Sequence, residues 1–241
     1  MSKLDLGNNE FINYEFHENI GKNTIVFSNS LGSDLSMWDP QVEYFKDNYQ
    51  IICYDKRGHG KSSPIQGPYT FDMLENDVIS IMDEIGIDKA HFVGLSMGGM
   101  TSLGLALKHS NRFDKLVCCA ARADMPPPAI EAWDQRMAVV EDKGTQGVVQ
   151  GSLERWFSDK FRNDVANNHI LEKAEEMIKS TSTNGYIGSC NAIKGLDYLR
   201  ELGKIKKDFL YISGENDVGA PALACLLYTS PSPLDLTTSR M

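Results

Sequence analysis

Ala90-His91-Phe92-Val93-Gly94-Leu95-Ser96-Met97-Gly98-Gly99 is the stretch on which the reading of the fold turns. A short apolar run, residues 90–93, ends in Gly94; a serine then stands between two glycines, and Leu103, Leu105, Ala106 and Leu107 mark a helix beyond Gly99. Gly-x-Ser-x-Gly at a strand-to-helix junction is the pattern of a nucleophile elbow, where small neighbours let a serine occupy a strained turn with its hydroxyl exposed. Patterns this short arise by chance. The strand before and the helix after make Ser96 a candidate nucleophile rather than part of a glycine-rich turn.

Outward from this stretch the same alternation repeats. Residues 24–27, 50–54 and 116–120 are brief β-branched or aromatic runs without clean period-two alternation, as expected of strands covered on both faces. Between them Leu74, Val78, Ile81, Met82 and Ile85 recur at helical spacing and end at Gly86. Alternating strands and helices predict an α/β class with a mostly parallel sheet. At Pro126-Pro127-Pro128 the pattern breaks, because three prolines continue neither strand nor helix. Residues 129–195 then read as helices, with Trp133, Met137 and Val140 on one face and Ile170, Leu171, Ala174, Met177 and Ile178 on another. Residues 208–212 restore the strand pattern. The expected organisation is core 1–124, helical cap 125–195, resumed core 196–222 and a tail 223–241.

With 24 basic and 33 acidic residues the chain carries a net charge of −9, which repels polyanions and argues against nucleic acid or an anionic membrane as partner. No stretch is long and apolar enough to span a membrane, and the acidic start leaves no room for a signal sequence, so the expected location is cytoplasmic. Five cysteines, two of them adjacent at 118 and 119, suit reduced thiols, and no metal-ligand spacing occurs. Gly60-Lys61-Ser62 imitates the end of a phosphate-binding loop, but Asp55 stands where that loop needs glycine.

Further motifs surround the elbow: Ser28-Asn29-Ser30-Leu31-Gly32 followed by Met37-Trp38-Asp39; Asp55-Lys56-Arg57-Gly58-His59-Gly60-Lys61-Ser62; Trp133, Arg136 and Leu153-Glu154-Arg155-Trp156-Phe157; and Gly214-Glu215-Asn216-Asp217. Together they resemble the α/β-hydrolases over residues 10–222 and, within them, the 3-oxoadipate enol-lactonase branch. The resemblance implies an α/β-hydrolase fold with a helical cap, a small ester or lactone as substrate and a place in bacterial aromatic catabolism. No cofactor is needed for such a reaction; oligomeric state is left open.

A serine hydrolase of this kind needs two N–H donors aimed at the developing oxyanion, and the Leu31 and Met97 amides fit those places; otherwise Ser30-Leu31-Gly32 is only a turn. The acid follows the nucleophile, and Asp217 is the first choice, Asp124 the alternative; Asp217 could also merely shape a turn. Arg136, with Arg122 and Arg155 behind it, is a candidate to hold a substrate carboxylate against the ordinary reading of a solvated charge, and Trp133 either walls the pocket or packs the cap. The histidine departs from the family: His17, His59, His91, His109 and His169 all precede Asp217, whereas the family's order is serine, acid, histidine. Residues 222–241, rich in Ser, Thr and Pro, do not resemble the family's last strand and helix and read as foreign sequence, so the chain as given is expected to be close to inactive. Rival readings are a general carboxylesterase or carbon–carbon hydrolase, and a hydrolase-fold protein that binds without turnover.

Overall fold

The computed structural model describes residues 2–215, 217, 219 and 220. Seven strands form one sheet in the order β1-β2-β4-β3-β5-β6-β7: β1 (Ser2–Gly7), β2 (Glu10–His17), β3 (Thr24–Ser28), β4 (Gln50–Tyr54), β5 (Ala90–Leu95), β6 (Phe113–Cys119) and β7 (Asp208–Ile212). β1 and β2 run antiparallel to their neighbours, and β4-β3-β5-β6-β7 are parallel. The tail at 222–241, read from the sequence as lacking the family's last strand and helix, lies outside the described residues.

Register explains why the central runs read as continuously apolar. Val26 pairs with Ile52 and Phe92, and Phe92 with Leu116; this row is buried on one face with Val78, Ile81 and Met82 of α2 (Phe71–Glu84) and with Leu105 and Ala106 of α3 (Met97–Lys108). On the other face Ile25, Phe27, Ile51 and Cys53 pack with Trp38 and, from α1 (Asp39–Phe45), Val42 and Phe45. Both faces are covered, so period-two alternation is lost.

Between β6 and β7 stand five helices: α4 (Pro127–Lys143), α5 (Val149–Trp156), α6 (Asp159–Arg162), α7 (Asn168–Ser180) and α8 (Thr183–Lys194). Two expectations are corrected. The proline run does not keep helix away: Pro127 and Pro128 form the first turn of α4, where a missing N–H costs nothing and the fixed φ suits a helix. Ile170 lies at the solvent-facing start of α7, while Ala174, Met177 and Ile178 are buried. The β1–β2 hairpin was not expected. It turns through Gly7, Asn8 and Asn9, all at positive φ, and buries Leu4, Ile12 and Tyr14. Cys53, Cys119 and Cys190 are free thiols, and among the described residues no helix is long and apolar enough to cross a membrane.

The chain leaves β3 for β4 on one side and later enters β5 on the other. Loops following β3 and β5 therefore part at the C-terminal edge of the sheet, the crevice where open α/β sheets take their ligands.

Candidate active site

Ser96 sits at that crevice with φ 53° and ψ −111°, a left-handed backbone that costs a non-glycine residue about 1–3 kcal/mol and persists only where the surroundings impose it. They do: its N–H donates to the Cys119 carbonyl at 2.8 Å, and its carbonyl accepts from the Met100 N–H at 2.9 Å. The flanking glycines answer to close approach. A Cβ on Gly94 would stand 2.1 Å from the Gly98 carbonyl oxygen, and one on Gly98 would stand 2.1 Å from that of Ser28.

Ser28 pairs with Gly94, so the loop after β3 starts directly beside the elbow. Asn29 Nδ2 donates to the Ser33 carbonyl at 2.6 Å, and Ser33 Oγ donates to the Ser30 carbonyl at 3.0 Å, which orients the peptide carrying the Leu31 N–H. Leu31 and Met97 are buried in one apolar cluster, and the N–H of neither takes part in a hydrogen bond among the described residues. Buried backbone donors are almost always paired, so two left open beside a strained serine suit an anionic oxygen.

The helical segment closes the crevice. Val140, Val149, Ile178 and Tyr186 share the cluster that holds Leu31 and Met97, with Trp133, Met137 and Trp156 packed against it. Around the Cβ position of Gly32 stand Ile178 at 3.5 Å, Tyr186 at 3.6 Å and Trp156 at 3.9 Å. Arg136 lies over the Trp133 ring, 4.7 Å from its centre, and its charge acts on Tyr186, whose hydroxyl burial pushes up against that pull. Arg155 donates to Ser152 Oγ at 3.0 Å, and burial together with the like charge of Arg136 pulls its guanidinium down to about 10. Neither arginine has a carboxylate ion-pair partner among the described residues. Trp133 and Arg136 were both candidates from the sequence, and α4 brings them together; the sequence gave no sign of Tyr186, which comes from another helix as an ordinary aromatic on a buried face.

Asp217 is half-buried beyond β7, and its Oδ1 accepts from the Gly219 and Ala220 N–H groups at 2.9 Å each. Asp124 is engaged by Arg122 at 3.2 Å. Of the histidines, His59 is fully buried, with Nδ1 2.9 Å from the Arg57 carbonyl, and burial pulls it down to about 4. His17 lies 3.9 Å from Glu15 on β2, His91 is on β5 and His109 ends α3. His169 is exposed on α7. No described hydrogen bond or ion pair joins any of them to Ser96 or Asp217.

Comparison with known proteins agrees with this geometry: residues 23–231 match the family model described as alpha/beta hydrolase fold. The chain belongs to the α/β hydrolases. The family match runs past residue 222 into the stretch that reads as foreign. The chain is 37% identical over 206 residues to 3-oxoadipate enol-lactonase 2 of Acinetobacter baylyi, covering 86% of this chain and 76% of that one. A putative carbamate hydrolase, RutD of Caulobacter segnis, is 27% identical over 90% of this chain and 83% of its own length. Among solved structures, the enol-lactonase of Burkholderia xenovorans LB400 superposes with a TM-score of 0.84 at 35% identity, over 90% of this chain and 83% of that one.

Proposed function

We propose that this α/β hydrolase is built for serine-dependent opening of a small carboxylate-bearing lactone or ester, with 3-oxoadipate enol-lactone as the substrate its relatives suggest, in the cytoplasm and within aromatic catabolism. Ser96 Oγ attacks the carbonyl, the Leu31 and Met97 N–H groups receive the oxyanion, and water then releases the acyl group from the serine. Asp217 is the acid that would orient a histidine base, and its Oδ1 already fixes the turn that presents it. The observation that carries the substrate class is the Arg136–Arg155 pair: two guanidiniums, that of Arg136 half-buried and that of Arg155 more exposed, without ion-pair partners among the described residues, one side chain away from the oxyanion loop through Tyr186. Charge-assisted, forked contacts to a carboxylate would relieve their mutual repulsion, and Trp133 walls the same side.

None of the five histidines follows Asp217, so turnover by this 241-residue chain is expected to be residual, the loss of a triad base costing about 10⁴ to 10⁶. Binding is the cleaner test. In the full chain Arg136→Ala should weaken 3-oxoadipate binding by about tenfold or more in calorimetry while leaving a neutral ester unaffected. Equal loss for both ligands would reduce Arg136 to cap packing and remove the support for an anionic substrate.

A further inference from the structure

Lys56 follows β4 and is 1% exposed, with no ion pair among the described residues. An unpaired buried ammonium is expensive, and a methionine would fill the same volume without that cost. Its ε-amino group has one described hydrogen-bond partner, the Asn29 carbonyl, at the point where β3 becomes the oxyanion loop. The neighbouring Asp55 holds the other end of that loop, its Oδ1 accepting from the Leu35 N–H at 2.7 Å. Two consecutive residues at the end of β4 thus grip the loop at residues 29 and 35, and the Leu31 amide lies between the grips.

We propose that Lys56 is a positioning residue of the oxyanion loop: by donating to the Asn29 carbonyl it fixes the peptide at the strand exit, and so the direction in which the Leu31 N–H faces the crevice beside Ser96. This rests on the reading of the Leu31 N–H as an oxyanion donor. The hold is sensitive to pH, because burial pulls Lys56 down to about 7 against a smaller upward pull from Asp55. The titratable groups that face it are few. Asp55 is occupied by Asn13, Leu35 and Lys61 and is influenced by Asp34 across the loop; the Tyr54 ring lies 5.6 Å away; and buried His59 is kept neutral in part by Lys56. Protonation of Lys56 strengthens its bond to Asn29, since hydrogen bonds from a charged donor are the stronger kind.

The test is amide NMR on the full ¹⁵N-labelled chain, which needs no turnover. In Lys56→Met the Leu31 amide should lose order, its ¹⁵N order parameter falling from the rigid-backbone range to below about 0.6, while the Ile81 amide in α2 keeps its parent value; Lys56→Arg, which keeps a charged donor, should restore the ordered value. In the parent protein the Leu31 resonance should follow one protonation near pH 7, a response absent from Lys56→Met. An unchanged Leu31 order parameter in Lys56→Met overturns the proposal. Should that variant not fold, a parent Leu31 resonance that follows no protonation between about pH 5.5 and 9 overturns it. Failure of the hydrolase reading would show instead as 3-oxoadipate binding that Arg136→Ala leaves unchanged, a separate readout.

Discussion

Ser96 carries a backbone conformation that its side chain does not favour, and this has a consequence for stability. Ser96→Gly relieves the left-handed strain and should raise the unfolding free energy by about 1 kcal/mol in urea melts, whereas Ser96→Ala keeps the strain and should leave it near the parent value. Gly98→Ala should cost about 1–3 kcal/mol or more, because the new methyl meets the Ser28 carbonyl, which cannot rotate away. At Lys56 the sign follows from linkage. Between pH 7 and 10.5 the unfolded chain keeps a proton that the folded one has lost, so stability rises with pH across that window by about 1.4 kcal/mol per unit. Lys56→Met should therefore be more stable than the parent at pH 7, by a margin that shrinks as pH approaches 10. Ser96, Met97 and Leu31 were legible because an elbow and its loop are local in sequence. Lys56 was not, since a lysine after a strand reads as a solvated charge until its surroundings are known.

At the scale of elements, α2 was readable from its apolar face alone, with Thr70 accepting from the Met73 N–H as N-cap and Gly86 ending it at positive φ. What its spacing concealed is Glu75, fully buried on the same helix: Tyr198 donates to its Oε1 at 2.6 Å, Lys108 lies 3.2 Å from its Oε2, and Gly104 leaves the room it occupies. This network ties α2 and α3 to the segment that leads from the helices after β6 to β7. Tyr198→Phe deprives a buried carboxylate of a donor and should destabilise the protein by about 1–3 kcal/mol, read as a lower urea midpoint with unchanged slope. The β1–β2 hairpin escaped the sequence because polar Asn13 and charged Glu15 interrupt its apolar positions; Asn13 is in fact buried and spends its amide on Asp55.

For the whole molecule, the strand order that parts the loops after β3 and β5 cannot be read from any single segment, because it depends on which edges pair over long separations. It nonetheless decides where the chemistry lies. A surface depression lined by Gly21, Lys22, Tyr44, Phe45 and Tyr49 opens near the N-terminal ends of β3 and β4, the edge opposite Ser96. The candidate site instead joins two distant parts of the chain: the elbow and loop of the core, and Arg136, Arg155 and Tyr186 of the helical segment. The sequence could name Arg136 and Arg155 but not their mutual influence, which arises only when α4 and α5 come together in the fold. The central claim is that Ser96, strained and flanked by open amides, is the nucleophile. Incubating the full chain with a p-nitrophenyl phosphonate and mapping the adduct by peptide mass spectrometry tests it most directly. The account predicts one adduct, on Ser96, formed slowly because no histidine follows Asp217 to serve as base, and absent from Ser96→Ala; labelling spread over other hydroxyls, or undiminished in Ser96→Ala, would contradict it.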